Sequence, residues 1–196
     1  MNPSRTIMPH VFRELAEIDP GLRLLLRDLL NGKAPWPLLL HGPVGVGKTC
    51  AALCVLDYAG GMYVTVAELT DRTRWAQQGR LFTTGETGCQ YEQSEGGYWC
   101  KVKRAAVAVL DEIGTRQQVS AHHSCCVQRF TDERSGMPSI LLSNLQPDHL
   151  AEVYDDRIVS RLCAGSVVKL SARDRRLDRY PESGSGSNVE SVLVAG

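Results

Sequence analysis

The sequence has no excess of either charge sign, with 22 basic residues facing 22 acidic ones over 196 residues. Nucleic acid therefore meets no global electrostatic attraction, and any DNA contact has to come from a local patch that binds in a salt-dependent way. No apolar run approaches the roughly 20 residues that a membrane-spanning helix needs. The opening segment mixes charged and apolar positions and has no signal-peptide core, so the expectation is a cytoplasmic protein. Cysteine is present without organisation: seven residues, an odd number, and no C-x-x-C spacing. Several lie in apolar contexts, which favours reduced thiols over a disulfide framework. Cys89, Cys100, His122, His123, Cys125 and Cys126 match no standard zinc-finger spacing.

What the chain does contain is Gly42-Pro43-Val44-Gly45-Val46-Gly47-Lys48-Thr49, set between the apolar run Leu38, Leu39, Leu40 and a helical pattern. It fits G-x-x-x-x-G-K-[ST], the phosphate-binding loop. A buried strand delivers the chain to a sheet edge, and the glycines let successive N–H groups curl around a polyphosphate. The next helix points its positive N-terminal end at the anion. In that arrangement Lys48 neutralises the β and γ phosphates and the Thr49 hydroxyl ligates Mg²⁺. Cys50 follows in the helix and closes the nucleotide-contacting stretch 42–50.

Around this loop the hydrophobic periodicity gives alternating strands and helices. Asp19 is placed as an N-cap with Pro20 at the first helical position, and Leu22, Leu25, Leu26, Leu29 and Leu30 form one apolar stripe before Gly32. Strands are expected at 38–41, 62–66, 105–110, 139–143 and 166–170. Helices are expected at 48–59, 68–78, 122–135 and 154–162. Residues 79–97 are polar and glycine-rich, which predicts an irregular excursion. The divisions are 1–34 as an N-terminal segment whose helix packs on the core, 35–180 as the main domain, and 181–196 as a disordered Gly/Ser-rich tail. Five strands alternating with helices imply a parallel sheet with ligands at the strands' C-terminal edge.

The strand predicted at 105–110 delivers Asp111 and Glu112 to that edge. Asp111 suits a Mg²⁺ shell, and Glu112 suits orienting and deprotonating an attacking water. The strand at 139–143 ends in Asn144, an amide that can sit between a γ phosphate and that water. Arg157 and Arg161 lie four apart, hence on one helical face, and surface arginines of this kind commonly pair with a neighbour such as Asp155 or Asp156.

The ordered set GPVGVGKT (42–49), VAVLDEIG (107–114), GMPSILLSNL (136–145) and DDRIVSRL (155–162) resembles the AAA+ ATPases of the DnaC/IstB group. These are bacterial and phage helicase loaders and the ATPase helpers of transposition, and the match covers about residues 35–176. The resemblance implies an α/β P-loop NTPase with a five-stranded parallel sheet in the order 5-1-4-3-2, flanked by helices. It implies ATP and Mg²⁺ as cofactors and ATP hydrolysis as the reaction. Lys48 and Thr49 match Walker A, Asp111 and Glu112 Walker B, and Asn144 sensor 1. Arg161 matches an arginine finger supplied in trans within a homo-oligomer, with Arg157 beside it. Arg175 and Arg176 both lie where the family has its sensor 2 arginine, and Arg176 is taken here.

The leading function is a loader that oligomerises with ATP, binds single-stranded DNA and engages a replicative helicase. The alternatives are a transposition helper working with a transposase, and a small P-loop phosphotransferase. Family loaders carry a sizeable N-terminal extension and AAA+ proteins commonly carry a helical lid. Here the first is expected to be short and the second reduced or absent. In the family, single-stranded DNA is contacted by elements between strand two and Walker B. In this sequence Arg72, Arg74, Trp75, Arg80, Tyr91, Tyr98, Trp99, Lys101, Lys103 and Arg104 supply cations and stacking faces there; the alternative is a polar surface loop whose aromatics pack locally.

Overall fold

The computed structural model describes residues 18–84, 89–115 and 119–171. In chain order it begins with α1 (Pro20–Leu30), β1 (Leu38–His41), α2 (Lys48–Ala59), β2 (Met62–Thr65) and α3 (Val66–Gln77). A hairpin of β3 (Phe82–Thr84) and β4 (Gln90–Glu92) follows, then α4 (Glu95–Arg104), β5 (Ala108–Ile113) and α5 (Ala121–Glu133). The described chain closes with β6 (Ser139–Ser143), α6 (Pro147–Leu150), α7 (Asp156–Leu162) and β7 (Ser166–Lys169). Residues 1–17 of the N-terminal segment, Arg175 and Arg176 as sensor 2 candidates, and the tail at 181–196 lie outside the described residues.

Five strands pair in parallel in the spatial order β2-β5-β6-β1-β7. With the hairpin left out of the count this is 5-1-4-3-2 read from the other edge, the order that the resemblance implies. Helices cover both faces, which is why the strands read as unbroken apolar runs instead of alternating. Leu38 and Leu40 face α1 and α2, in one core with Leu22, Leu26, Leu29, Leu53 and Ile140. Leu39 faces the other way, in a second core with Leu69, Val102, Leu110, Phe130, Leu141 and Ile158. α1 starts where its cap requires: Asp19 Oδ1 accepts from the N–H groups of Gly21 (2.9 Å) and Leu22 (3.0 Å). α2 is apolar around its whole circumference because it is sandwiched between α1 and the sheet. Among the described residues no helix is long and apolar enough to cross a membrane, and no disulfide joins any of the seven cysteines.

Two segments depart from expectation. The described residues of 79–97 carry regular structure: β3 and β4 pair antiparallel with Phe82 opposite Glu92, and α4 begins within the stretch. α4 forms in spite of Gly96 and Gly97 because Ser94 caps it and Tyr98, Trp99 and Val102 are buried, so packing outweighs poor helix propensity. Arg134, 3% exposed, closes its far end by donating to the carbonyls of Lys103 (2.8 Å) and Ala105 (2.7 Å). The second departure is β5, which starts and ends three residues later than expected. Asp111 and Glu112 therefore lie inside the strand and not beyond it.

That shift comes with a bulge. Leu110 pairs with Leu141 and Ile113 with Ser143, so three steps along β5 cover two along β6. The extra residue falls at Asp111-Glu112, and Glu112 takes φ 63°, the only positive φ at a non-glycine among the described residues. Such a conformation costs roughly 1–2 kcal/mol for a residue with a Cβ. Glu112→Gly is therefore expected to stabilise the nucleotide-free protein by about 0.5–1 kcal/mol, because the released strain exceeds the extra chain entropy of glycine. Thermal unfolding checks this, with a rise of roughly 1–4 °C in the midpoint expected. The isosteric Glu112→Gln serves as an unchanged reference, and a lower midpoint for the glycine variant would remove the strain argument.

Candidate functional site

The loop between β1 and α2 has the backbone that its glycines permit, with Gly42, Gly45 and Gly47 at φ 143°, 84° and 98°. A Cβ at Gly42 would stand 2.1 Å from the Leu170 carbonyl oxygen, so a side chain there would push β7 away. Gly47 is the N-cap of α2 and offers no side-chain acceptor, whereas α1, α3, α4, α5 and α7 are capped by Asp19, Thr65, Ser94, Ser120 and Asp155. The first N–H groups of α2 thus face the loop without a side-chain cap, which is the requirement for an anion. Lys48 is buried, and its Nζ donates to the carbonyls of Gly42 (2.6 Å) and Pro43 (2.7 Å), folding the ammonium over the loop. His41 ends β1 next to it. Burial first, then the charges of Lys169 and Lys48, push its imidazole below the ordinary value, so it is neutral near pH 7.

Thr49 and Asp111 are 62 residues apart in sequence and meet directly, the Thr49 hydroxyl donating to Asp111 Oδ2 at 3.0 Å. The Tyr63 hydroxyl donates to the same oxygen at 2.7 Å, and the Glu112 N–H donates to Oδ1 at 2.6 Å. Burial, then the Asp111 charge, raises the Tyr63 phenol above its ordinary value and keeps it a donor. A hydroxyl and a carboxylate this close form the hard oxygen donor pair that Mg²⁺ takes beside phosphate. Sequence reasoning missed Tyr63; its one signal was a hydroxyl-bearing ring inside the short strand β2. Glu112 and Asn144 are exposed at the same sheet edge, at the ends of neighbouring strands.

Beside the loop lies a cavity of about 400 Å³ between α1, the start of α2 and β7. Leu22, Leu25, Val46, Cys50 and Leu170 give it apolar walls and Asp19 and Lys169 polar ones. It has the size and lining for a nucleoside, and Cys50, at the start of α2, is among its walls.

Arg161 is elsewhere. It lines a groove of about 180 Å³ with Pro37, Gly136, Ser139 and Ala164, residues that precede or open β1, β6 and β7. This is the N-terminal edge of the sheet, and strands of four to five residues, roughly 13–17 Å long, separate it from the phosphate loop. Its partner is neither Asp155 nor Asp156 but Asp132 on α5, with Arg161 Nη1 2.7 Å from Oδ1 and both side chains about two-fifths exposed. The approach is oblique, so the contact is an ion pair and not an aligned hydrogen bond. Arg157, exposed, shares the helix α7.

Between β2 and β5 the stacking set changes. Tyr98 and Trp99 are core residues, each 2% exposed, and Arg129 packs over the Trp99 ring. Arg72 pairs with Glu68, Lys103 with Glu133, and Lys101 donates to the Thr83 hydroxyl. Arg74, Trp75, Arg80, Tyr91 and Arg104 remain at the surface, joined by Phe82, which sequence reasoning had not named. His122 and Cys126, four apart on α5, touch through helical spacing while His122 also meets the Thr70 carbonyl.

No family model matches the chain. Among curated proteins it is 26% identical over 151 residues to a protein of Mycobacterium tuberculosis named for ATP binding within an insertion sequence. That match takes in 75% of this chain and 57% of the relative, so the chain spans just over half the length of its curated relative. Among solved structures, DnaI superposes with a TM-score of 0.65 at 18% identity, over 85% of this chain and 96% of that one. Aquifex aeolicus DnaA bound to AMPPCP gives a TM-score of 0.61 at 18% identity over 79% and 48% of the two chains. DnaA bound to AMPPCP and single-stranded DNA gives 0.65 at 17% over 86% and 52%. The sheet order, the loop and the superpositions agree on the fold, which is the AAA+ P-loop fold of DnaI and DnaA, and the motifs of the chain resemble those of the DnaC/IstB group.

Proposed function

We propose that the protein binds and hydrolyses ATP with Mg²⁺ at the C-terminal sheet edge, as an oligomer that acts on single-stranded DNA in the manner of a DnaC-like loader of a replicative helicase. The observation that carries this reading is the 3.0 Å contact between Thr49 and Asp111 beneath a glycine loop whose helix lacks a side-chain cap. In this reading the loop N–H groups and Lys48 bind the phosphates, and the apolar cavity beside α1 takes the nucleoside. Thr49 and Asp111 hold Mg²⁺, which when bound draws charge from the phosphate oxygens. Glu112 accepts the proton of the attacking water and Asn144 orients that water. Arg161, at the opposite edge, serves a neighbouring copy's site with Arg157 beside it, and Arg176 serves as sensor 2. The surface cations and rings around Arg74, Trp75, Arg80, Phe82 and Tyr91 support single-stranded DNA as a partner, by charge and by stacking.

A second reading has one observation in its favour: the curated relative is encoded in an insertion sequence. It makes the protein an IstB-like helper that works with a transposase. Phosphate release measured against protein concentration, with single-stranded, duplex or no DNA, tests both. A superlinear rise with concentration is expected, steeper with single strands. Stimulation by duplex DNA alone would favour the transposition helper. Turnover strictly proportional to concentration and indifferent to DNA would defeat the assembly reading, and transfer to an added acceptor in preference to water would point to a phosphotransferase.

A further inference from the structure

Ser143 was not among the residues singled out by motif, yet it touches all three segments of the site. It ends β6 at 1% exposure. Its hydroxyl donates to the Ile113 carbonyl at 2.8 Å, immediately past the bulge that carries Asp111 and Glu112. The same oxygen accepts the Leu145 N–H at 3.0 Å, bridging across Asn144. Its main-chain carbonyl accepts the N–H of Gly42, the first residue of the phosphate loop, at 3.2 Å.

These bonds divide by role. Glu112 sits at a positive φ, a conformation that persists only if the surroundings hold it. On one side the Asp111 carboxylate holds its N–H, and Thr115 Oγ1 donates to its carbonyl. On the other, the chain's return to regular pairing is fixed where Ser143 grips Ile113. The Leu145 bond closes a tight turn around Asn144, so one buried hydroxyl sets the directions of both strand tips. The bond to Gly42 is main chain and does not depend on the side chain.

We propose that Ser143 is a positioning residue that fixes Glu112 and Asn144 relative to each other, without taking part in nucleotide binding. The proposal rests on the ATPase reading above. Removing the hydroxyl frees the bulge to relax and takes a hydrogen bond from the buried Ile113 carbonyl and the part-buried Leu145 N–H, while the phosphate loop keeps its anchor. The signature is therefore a split between rate and affinity.

Ser143→Ala is tested by phosphate release and by titration with a fluorescent ATP analogue, with amide exchange of the nucleotide-free protein as an independent readout. The expected result is a fall in kcat of roughly 10–100-fold, with affinity within about twofold of the parent and faster exchange at Leu145. A kcat within about twofold of the parent overturns the proposal, as does a loss of affinity in step with kcat, the mark of general damage to the fold. If the alanine variant does not accumulate, Ser143→Cys, similar in shape but a weak donor, is judged by the same two criteria. The parent is measured first: absence of ATP turnover in the parent defeats the ATPase reading itself, whereas a parent that turns over normally beside an unaffected variant defeats only the role of Ser143.

Discussion

Glu112→Gln is expected to bind ATP as tightly as the parent and to hydrolyse it at least about 100-fold more slowly, the scale of a lost general base. The expectation of intact binding comes from geometry. The amide has the shape of the carboxylate, and the Glu112 N–H that donates to Asp111 Oδ1 belongs to the main chain and survives the change. The loop glycines, Lys48 and the Thr49–Asp111 contact are untouched. What is lost is a group able to take a proton at the exposed sheet edge where Asn144 also stands. Equilibrium titration with a fluorescent ATP analogue and single-turnover phosphate release separate the two effects. Turnover at the parental rate would mean that the base is another residue, and parallel loss of binding would mean that the bulge does not tolerate the amide.

Much of this site is legible in the sequence. The phosphate loop announces itself because only glycine tolerates the φ values and the 2.1 Å approach to Leu170 at Gly42. β1 and β6 read cleanly because helices cover both faces and their inner positions, Leu38 to Leu40 and Ile140 to Leu142, are apolar. The errors have physical causes. A bulge leaves no mark in composition, so the carboxylates at 111 and 112 were placed after β5 instead of within it, and the strained Glu112 went unseen. Glycines and charges around Tyr98 and Trp99 leave stacking faces and local packing both open in the sequence, although Tyr98 and Val102 stand at the four-residue spacing of a buried helix face. The hairpin strands are three residues each, too short for alternation to register. Ser143 and Tyr63 act by hydrogen bonds whose partners lie far along the chain, 30 residues away for Ser143 and 48 for Tyr63, and no local pattern encodes them.

Arg161→Ala is expected to leave nucleotide binding intact and to abolish assembly-dependent turnover, with a loss of about 10³-fold or more on the scale of a trans-acting arginine. Its own phosphate loop lies at the opposite sheet edge, beyond the reach of one side chain, so any effect on hydrolysis has to pass to a second copy. The ion pair with Asp132 does not lock the guanidinium in place: both partners are about two-fifths exposed, and pairs so placed are worth roughly 0.2–1 kcal/mol, less than a desolvated contact with a phosphoryl group. The decisive experiment is mixing. Lys48→Ala removes the ammonium over the loop and with it nucleotide binding, but it keeps Arg161. Arg161→Ala binds nucleotide but has no finger to lend. Each alone is expected to be inactive. Together they form interfaces where the intact loop of one copy meets the intact arginine of the other, and turnover is expected to return at those interfaces in proportion to their share of the mixture. Activity that stays at the level of the separate variants across all mixing ratios, while both remain folded and the Arg161→Ala protein still binds nucleotide, would place the arginine outside the shared site.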